Sequence, residues 1–514
     1  MAFFGKLIKR SLTVGEQLQK RRRAAPIQLQ RRTLRRLLRQ AQGTAFGQYY
    51  DFKGILQDEH CIDTFREKVP IFDYDTMYEQ WWHMALREVE DVSWPGKVTH
   101  FALSSGTSGA PSKHIPVTDD MRRSMKHAGL RMFFALTNFD VDPDLFTKPM
   151  LMLGGSSDLD NQGGYFRGDL SGINASQPPF WLRPYYKPGG KISRIKSWDE
   201  KIAEISRHAP EWDIGFLVGI PSWLQLMMER IIEDHQLDTI HDIWPNLEVC
   251  VHGGIAFEPL KKGFERLLAR PLIYMDSYLA SEGFIAYQQR PETHAMRLLL
   301  HNGIFFEFIP FNSSNFDEDG QLLGNPQTLT IADVEPGVDY ALLLTTCAGA
   351  WRYLIGDTVR FPEAGKPEII ISGRTKHFLS ICGEHLSVDN MNQGIQAVEE
   401  ALDLSVREFT VAPVQEGNRF LHHWYIGTER EVDKEQVTRL LDEALKQVND
   451  DYKTERDSLL GIRVEILPIQ RFYDWQAAKG KLGGQNKFPR VMKGKRFAEW
   501  SAFVHRSLRQ EGGV

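Results

Sequence analysis

The chain has 514 residues, 42% hydrophobic and 25% charged, the make-up of an average globular protein long enough for a large core and two domains. With 62 Lys and Arg against 67 Asp and Glu, its formal net charge of -5 argues against nucleic-acid binding as the main activity, so any work on anionic ligands must be local. Cys61, Cys250, Cys347 and Cys382 lie far apart with no C-x-x-C spacing, which indicates neither a disulfide framework nor a zinc site.

The first forty residues carry 12 Lys and Arg against a single acid, Glu16. Ile27, Leu34, Leu37 and Leu38 recur there at helical spacing behind Pro26, a residue suited to a first turn, and predict an amphipathic helix. The favoured reading is a helix packed on the body of the protein. The alternative is a helix on an anionic membrane surface, which would make the basic N-terminus a peripheral membrane contact. The opening apolar run is too short for a secretory signal, and no apolar stretch reaches the roughly 18 to 20 residues that cross a bilayer. No transmembrane segment is expected, and a cytoplasmic location is.

Beyond this segment short apolar strands alternate with helices, which places the body in the α/β class. Pro149 to Leu153 ends in Gly154-Gly155, and Ile214 to Ile220 is followed by Pro221 and a helix-like Ser222 to Glu233. Val249 to Val251 leads into His252-Gly253-Gly254, and Leu272 to Tyr274 into a polar segment. Open α/β sheets place their ligands where strands end in such loops. Further on the pattern turns to hairpins: Leu298 to Leu300 and Ile304 to Ile309 flank the turn dipeptide Asn302-Gly303, and Ala341 to Leu344 is another strand. Near the end, Phe409 to Val414, Trp424 to Ile426 and Val464 to Leu467 read as strands. Val437, Leu440, Leu441, Ala444, Leu445 and Val448 share one helical face beside them, making a small α+β unit.

The most informative stretch is Ser104-Ser105-Gly106-Thr107-Ser108-Gly109-Ala110-Pro111-Ser112-Lys113, followed by His114-Ile115-Pro116. Small residues let a loop curl so that backbone N–H groups and hydroxyls converge on phosphate oxygens, and a lysine adds positive charge. The Walker spacing is absent, so a kinase or ordinary ATPase loses ground; taken alone, the loop reads equally well as a polar turn. Tyr278-Leu279-Ala280-Ser281-Glu282 offers an aromatic face, a hydroxyl and a carboxylate, suited to a purine, a phosphate and Mg²⁺. Trp351-Arg352-Tyr353-Leu354-Ile355-Gly356-Asp357 ends in an acid able to accept hydrogen bonds from ribose hydroxyls, and Gly373-Arg374-Thr375-Lys376 follows. Read singly, Glu282 is a surface acid, Asp357 a turn residue and Arg374 half of a salt bridge.

In this order and separation the segments resemble the adenylate-forming superfamily of acyl and aryl ligases. Thr44-Ala45-Phe46-Gly47, Val69-Pro70-Ile71, the loop from Ser104 to Pro116, Tyr278 to Glu282, Arg352 to Asp357 and Asn486-Lys487-Phe488-Pro489-Arg490 are more closely similar to one branch. That branch is the Gretchen Hagen auxin-responsive family of acyl acid amido synthetases, in a form resembling its bacterial members. The resemblance spans nearly the whole chain. It implies a large α/β adenylate-forming domain over residues 1–375 that binds ATP and the acyl acid. A smaller mobile α+β domain would cover 376–514, with Lys376 at the hinge.

It also implies roles. Ser104, Ser105, Thr107 and Ser108 would hold the ATP phosphates with help from Lys113, and Gly253 and Gly254 would run along the adenine pocket. Tyr278 would face the base, Ser281 the α-phosphate and Glu282 the Mg²⁺, while Asp357 would bind ribose and Arg374 lie near ribose or phosphate. Lys487 matches the mobile lysine that helps form the adenylate; without the resemblance it reads as an exposed lysine in a basic stretch. Two departures stand out: Leu279 replaces the superfamily glycine after the tyrosine, and Ser112 adds a residue before Lys113.

The implied reaction has a carboxylic acid attack the α-phosphate of Mg·ATP, giving an acyl-adenylate and pyrophosphate, after which an amine, usually that of an amino acid, displaces AMP. The amine must be neutral to attack, and no residue is assigned as its base. Coenzyme A as acceptor would make the chain a thioester ligase instead, and a catalytically silent nucleotide-binding relative is the third reading. Residues in Phe180-Trp181-Leu182 to Tyr185-Tyr186 and Phe216 to Trp223 are candidates for an acyl pocket, with core packing the plainer account of most of them.

Overall fold

The computed structural model describes residues 24–104, 113–175, 183–254, 257–317, 320–375, 388–416, 419–449, 459–479 and 488–511, with a few isolated residues besides. Among these residues an 11-stranded sheet dominates. Across it run Ile304–Pro310, Asp339–Thr346, Tyr353–Arg360, Glu368–Arg374, Met296–Leu298, Gly283–Gln288, Ile273–Ala280, Val249–Gly253, Phe216–Gly219, Met150–Leu153 and Tyr186–Lys187. The five strands from Ile273–Ala280 to Tyr186–Lys187 are parallel and the rest antiparallel.

Met150–Leu153, Phe216–Gly219 and Val249–Gly253 read as short apolar runs because helices cover this half of the sheet, as parallel sheets require. Pro221–His235 and Trp198–His208 pack there through Leu224, Met227, Ile231, Ile202 and Ile205. The parallel half therefore presents its C-terminal strand ends, Leu153, Gly219 and Gly253, along one edge where ligands bind. A second sheet of four strands pairs His100–Ser104 with Lys113–Val117 on one side and Phe166–Gly168 on the other.

The expected N-terminal helix is Pro26–Ala41, and its Leu34, Leu37 and Leu38 are wholly buried in the main core. Gln30 fixes it further, donating to the carbonyls of Leu300 and Ile304 and accepting from the Phe306 N–H. The apolar face of this helix is thus packed on the body. Among the described residues no helix is long and apolar enough to cross one.

Two local expectations change. Asn302-Gly303 does form a turn, with Gly303 at φ 80°, but the strands around it are not partners. Met296–Leu298 pairs with Gly283–Gln288 and Glu368–Arg374, whereas Ile304–Pro310 pairs with Asp339–Thr346. Asn302 instead donates its amide to the Ser124 carbonyl, so the turn is anchored on the helix Asp119–Ala135. A turn dipeptide supplies left-handed backbone but does not choose a strand's partner. The second change is Ile273–Ala280, which runs straight through the segment read as a polar loop, so that Tyr278 sits in a strand and only Ser281 and Glu282 turn.

Among the described residues the next helix after Arg374 is Val388–Leu402. It packs with Lys434–Val448 on a separate sheet of Glu408–Glu416, Arg419–Gly427 and Gly461–Leu467, which gives this part its own core of Ile395, Val398, Val411, Trp424, Leu441 and Leu445. Polar contacts tie it to the larger part: Arg407 meets Glu229 at 2.6 Å, and Lys262 donates to the Glu399 carbonyl at 3.2 Å. Lys376, the expected hinge, lies outside the described residues.

Candidate active site

Several segments that carry the resemblance converge on one buried cluster rather than on an open cleft. Thr44 caps the helix Ala45–Tyr49, its hydroxyl accepting from the Gly47 N–H and donating to the Ala41 carbonyl. A Cβ on Gly47 would sit 2.0 Å from the Ala41 oxygen, so no larger residue fits. Phe46 stacks on Trp351 at 5.6 Å, which Phe52 meets edge-on at 4.6 Å. Arg352, 2% exposed, grips the Glu307 carboxylate with Nε and a terminal nitrogen at 3.1 Å each, and donates to the carbonyls of Arg66 and Val69. It thereby holds Val69-Pro70-Ile71 against the strand Tyr353–Arg360, where Phe72 and Leu354 exchange backbone hydrogen bonds with Arg352 and Phe72.

That strand carries the site. Asp357 is the register partner of Arg374 on the next strand, with Arg374 Nε 2.7 Å from its Oδ1, and the Tyr278 phenol donates to its Oδ2. Asp357 is therefore a strand residue, not a turn residue, and Arg374 is indeed half of a salt bridge. Its side chain stays 14% exposed, which leaves an edge of the carboxylate for hydroxyl donors such as those of ribose. Tyr278 is 5% exposed, with its ring in the core and its phenol at the site; burial first, then the Asp357 charge, holds the phenol well above its usual range.

Glu282 lies in the turn after Tyr278 and is 8% exposed, so it is not a surface acid. Burial raises its carboxyl above the ordinary value, and the Lys113 ammonium opposes that rise. The Tyr353 phenol faces the same carboxylate. Lys113 in turn sits 5.2 Å over the Tyr74 ring, whose hydroxyl accepts from the His114 N–H at 2.8 Å. The root of the predicted phosphate loop is thus fastened by Tyr74, and its lysine is turned toward Glu282.

Because burial disfavours the Glu282 charge, a cation delivered with phosphates would favour its ionised form, as Lys113 already does. Among the described residues no group of three or more His, Cys, Asp and Glu could hold a metal alone. Mg²⁺ is commonly bound by one or two carboxylates plus substrate phosphates, a donor set that Glu282 and ATP would complete. On the parallel edge, Gly253 must be glycine because a Cβ would lie 2.2 Å from the Ser277 carbonyl. Gly254 adopts φ 85°, which favours glycine again.

The structure thus brings together Lys113, Tyr278, Glu282, Asp357 and Arg374, with Ser281 in the same turn. Ser104 ends its strand opposite Lys113. Ser105, Thr107, Ser108 and Lys487 lie outside the described residues, as do Phe180, Trp181 and Leu182. Trp223 meets Trp198 edge-on at 4.3 Å in a helix-covered core, the packing role anticipated for that run. Tyr74 and Tyr353 escaped the sequence reading. Tyr353 lay inside a quoted motif, but nothing in the spacing showed that it would face Glu282.

The GH3 family N-terminal domain matches residues 16–195, its central domain residues 297–374 and its C-terminal domain residues 389–496. The chain is 22% identical over 407 residues to indole-3-acetic acid-amido synthetase GH3.2 of Arabidopsis thaliana, covering 65% of this chain and 71% of that protein. It is 22% identical over 452 residues to jasmonoyl--L-amino acid synthetase JAR4 of Nicotiana attenuata, covering 74% and 75%. The chain spans 64% of the length of indole-3-acetic acid-amido synthetase GH3.4 of Arabidopsis thaliana and 63% of that of a protein named probable indole-3-acetic acid-amido synthetase GH3.1 of Oryza sativa subsp. japonica, a little under two thirds. Among solved structures, GH3.15 acyl acid amido synthetase superposes with a TM-score of 0.76 at 17% identity, covering 96% of each chain. A 2-hydroxyisobutyryl-CoA ligase in the postadenylation state superposes at 0.56 and 12%, covering 93% of this chain and 90% of the other.

Proposed function

We propose, from the premise that this chain belongs to the GH3 family, that it uses ATP to adenylate a small carboxylic acid and then passes the acyl group to an amine. The amine is an amino acid, the acceptor class named for a relative, and the products are an amide, AMP and pyrophosphate. The observation that supports this most is the convergence of Lys113, Glu282, Asp357 and Arg374 from four separate strands and turns on one place beside the Tyr278 phenol.

A carboxylate is a poor electrophile, and adenylation replaces its poor leaving group by AMP. Asp357 accepts the ribose hydroxyls, while Tyr278 and Arg374 fix its orientation. Lys113 lends positive charge where phosphate charge accumulates, on a loop whose root Tyr74 fastens. Mg²⁺, when bound with ATP, supplies charge stabilisation at the phosphate oxygens, and Glu282 holds it. Lys487 brings a further positive charge to the rearranging oxygens. Residues 1–375 form the ATP and acyl-acid domain and 376–514 the mobile one, whose rotation near Lys376 separates adenylation from amide formation. The work is that of a cytoplasmic enzyme.

The test is pyrophosphate release from Mg·ATP across a panel of carboxylic acids, followed by mass spectrometry of products with amino acids or coenzyme A added. Acid-dependent release with an amide product is expected. A thioester product would move the acceptor to a thiol, and ATP binding without release for any acid would count against catalysis.

A further inference from the structure

A second polar feature lies on the same edge of the sheet, past the end of Met150–Leu153. Lys201, on the helix Trp198–His208, is only 3% exposed, and its ammonium donates to the Gly154 carbonyl at 3.1 Å just past the end of Met150–Leu153. Asp169 precedes the helix Leu170–Ala175 and is largely covered. The register Phe101↔Arg167 and Ala102↔Gly168 sets it beside Leu103, one residue before the phosphate loop begins. Gly155 makes room for it, since a Cβ there would lie 2.0 Å from Asp169 Oδ2.

Each charge is in the other's field, yet among the described residues the two form no direct ion pair and the Asp169 carboxylate has no hydrogen-bond donor. Burial works against both: it raises the Asp169 carboxyl and lowers the Lys201 ammonium, each opposed by the other's charge. Lys201 has the Gly154 carbonyl and the Trp198 ring, 5.9 Å from its ammonium, but neither carries a charge, and a buried charge is costly unless an opposite charge pairs with it. A simple carboxylic acid would satisfy Lys201 and leave Asp169 unmatched, and a simple amine would do the reverse. A molecule with an anionic and a cationic group a few bonds apart would satisfy both.

We infer that Asp169 and Lys201 form the binding site for the amino-acid acceptor, Asp169 taking its α-ammonium group and Lys201 its α-carboxylate. This rests on the proposed reaction and deepens it. The site lies beside the root of the phosphate loop, past the end of Met150–Leu153, three strands along the sheet order from Ile273–Ala280, which carries Tyr278. Docking as the ammonium ion also explains how an amine that is charged in solution can be captured before it gives up its proton.

The test uses the full chain with an acid and an amino acid found to react, and measures acyl-adenylate formation by the pyrophosphate burst separately from amide formation. Asp169→Asn and Lys201→Met are each expected to raise the KM for the amino acid at least tenfold while leaving the pyrophosphate burst unchanged. Wild type should prefer the amino acid at least tenfold over the amine lacking its carboxylate; Lys201→Met should lose that preference and Lys201→Arg keep it. Unchanged amino-acid KM in both variants, or loss of the burst itself, would overturn the assignment in favour of a structural pair or an acyl-acid contact. Should Lys201→Met not fold, Asp169→Asn, which keeps the side-chain shape, decides by the same two readouts. Absence of any burst in the wild type would be failure of the proposed reaction, a result distinct from a normal burst with unaltered acceptor KM.

Discussion

Arg374 Nε lies 2.7 Å from Asp357 Oδ1, and the two residues are direct register partners on neighbouring strands. A pair built into a sheet register is set by the backbone, so the carboxylate is oriented before any ligand arrives. Arg374 is 41% exposed, which limits its own contribution to stability, but its removal frees Asp357 to rotate about the Tyr278 hydrogen bond. Arg374→Met is expected to raise the KM for ATP roughly fivefold to tenfold, as loss of one charge-assisted hydrogen bond would, while the melting temperature moves little. Steady-state kinetics with varied ATP and a thermal melt check it. A fall in stability with unchanged ATP dependence would make the pair purely structural.

Glu282 leads to an expectation in pH. Its carboxyl is raised by burial, so protons compete for it at higher pH than for an exposed glutamate. Metal binds the carboxylate and not the acid, so the Mg²⁺ concentration needed for half-maximal pyrophosphate release should climb as pH falls toward that raised value. Glu282→Gln should cut release by roughly a hundredfold or more and flatten the pH dependence of the residual Mg²⁺ requirement. Release at wild-type rate in the variant would remove the metal role from this residue.

Met150–Leu153, Phe216–Gly219 and Val249–Gly253 in the parallel half were legible because each is a short apolar run closed by glycine, whereas Ile273–Ala280, with Asp276 and Ser277 inside it, was legible only as far as Tyr274. The three-stranded C-terminal sheet and the helix Lys434–Val448 were legible through ordinary periodicity. Pairing was not, as Asn302-Gly303 shows: the turn is real, but which edges Ile304–Pro310 and Met296–Leu298 join depends on distant residues, Pro310 pairing with Tyr340 and Met296 with Ile369. The site residues were legible only through their order along the chain. Tyr74 and Tyr353 were hidden because their roles arise from which side chains the tertiary fold sets opposite them. The sequence reading also could not show that Arg352 grips a buried glutamate while Asp357, on the same strand, faces the site.

That contrast gives a further expectation. Arg352 and Glu307 are 2% and 1% exposed, and Thr328 and Arg66 also bond to the same carboxylate. Removing one partner leaves a buried charge without its match, which typically costs about 3 to 5 kcal/mol. Arg352→Met should therefore lower unfolding free energy by roughly that amount in urea titration, and Glu307→Gln by less because Thr328 and Arg352 keep an acceptor. Near-wild-type stability of Arg352→Met with lost ATP binding would instead place Arg352 in the nucleotide site.

Glu399 supplies a test by stability alone. It is 3% exposed on the helix Val388–Leu402, its side chain accepts from the Val406 N–H at 2.6 Å, and burial pushes its carboxyl up to about 8. An unfolded glutamate releases its proton near its ordinary value, so between there and about pH 8 the folded chain holds a proton that the unfolded chain has lost. Stability from this group is full below the ordinary value and is lost as pH rises through the window. Wild type should therefore weaken between pH 5 and pH 8.5 by roughly 2 to 4 kcal/mol more than Glu399→Gln, whose amide still accepts from Val406 and carries no charge to bury. Denaturant titrations of both proteins at the two pH values measure the difference. Parallel pH profiles would mean that Glu399 stays ionised, and that Lys262, which already donates to its backbone carbonyl, compensates the charge.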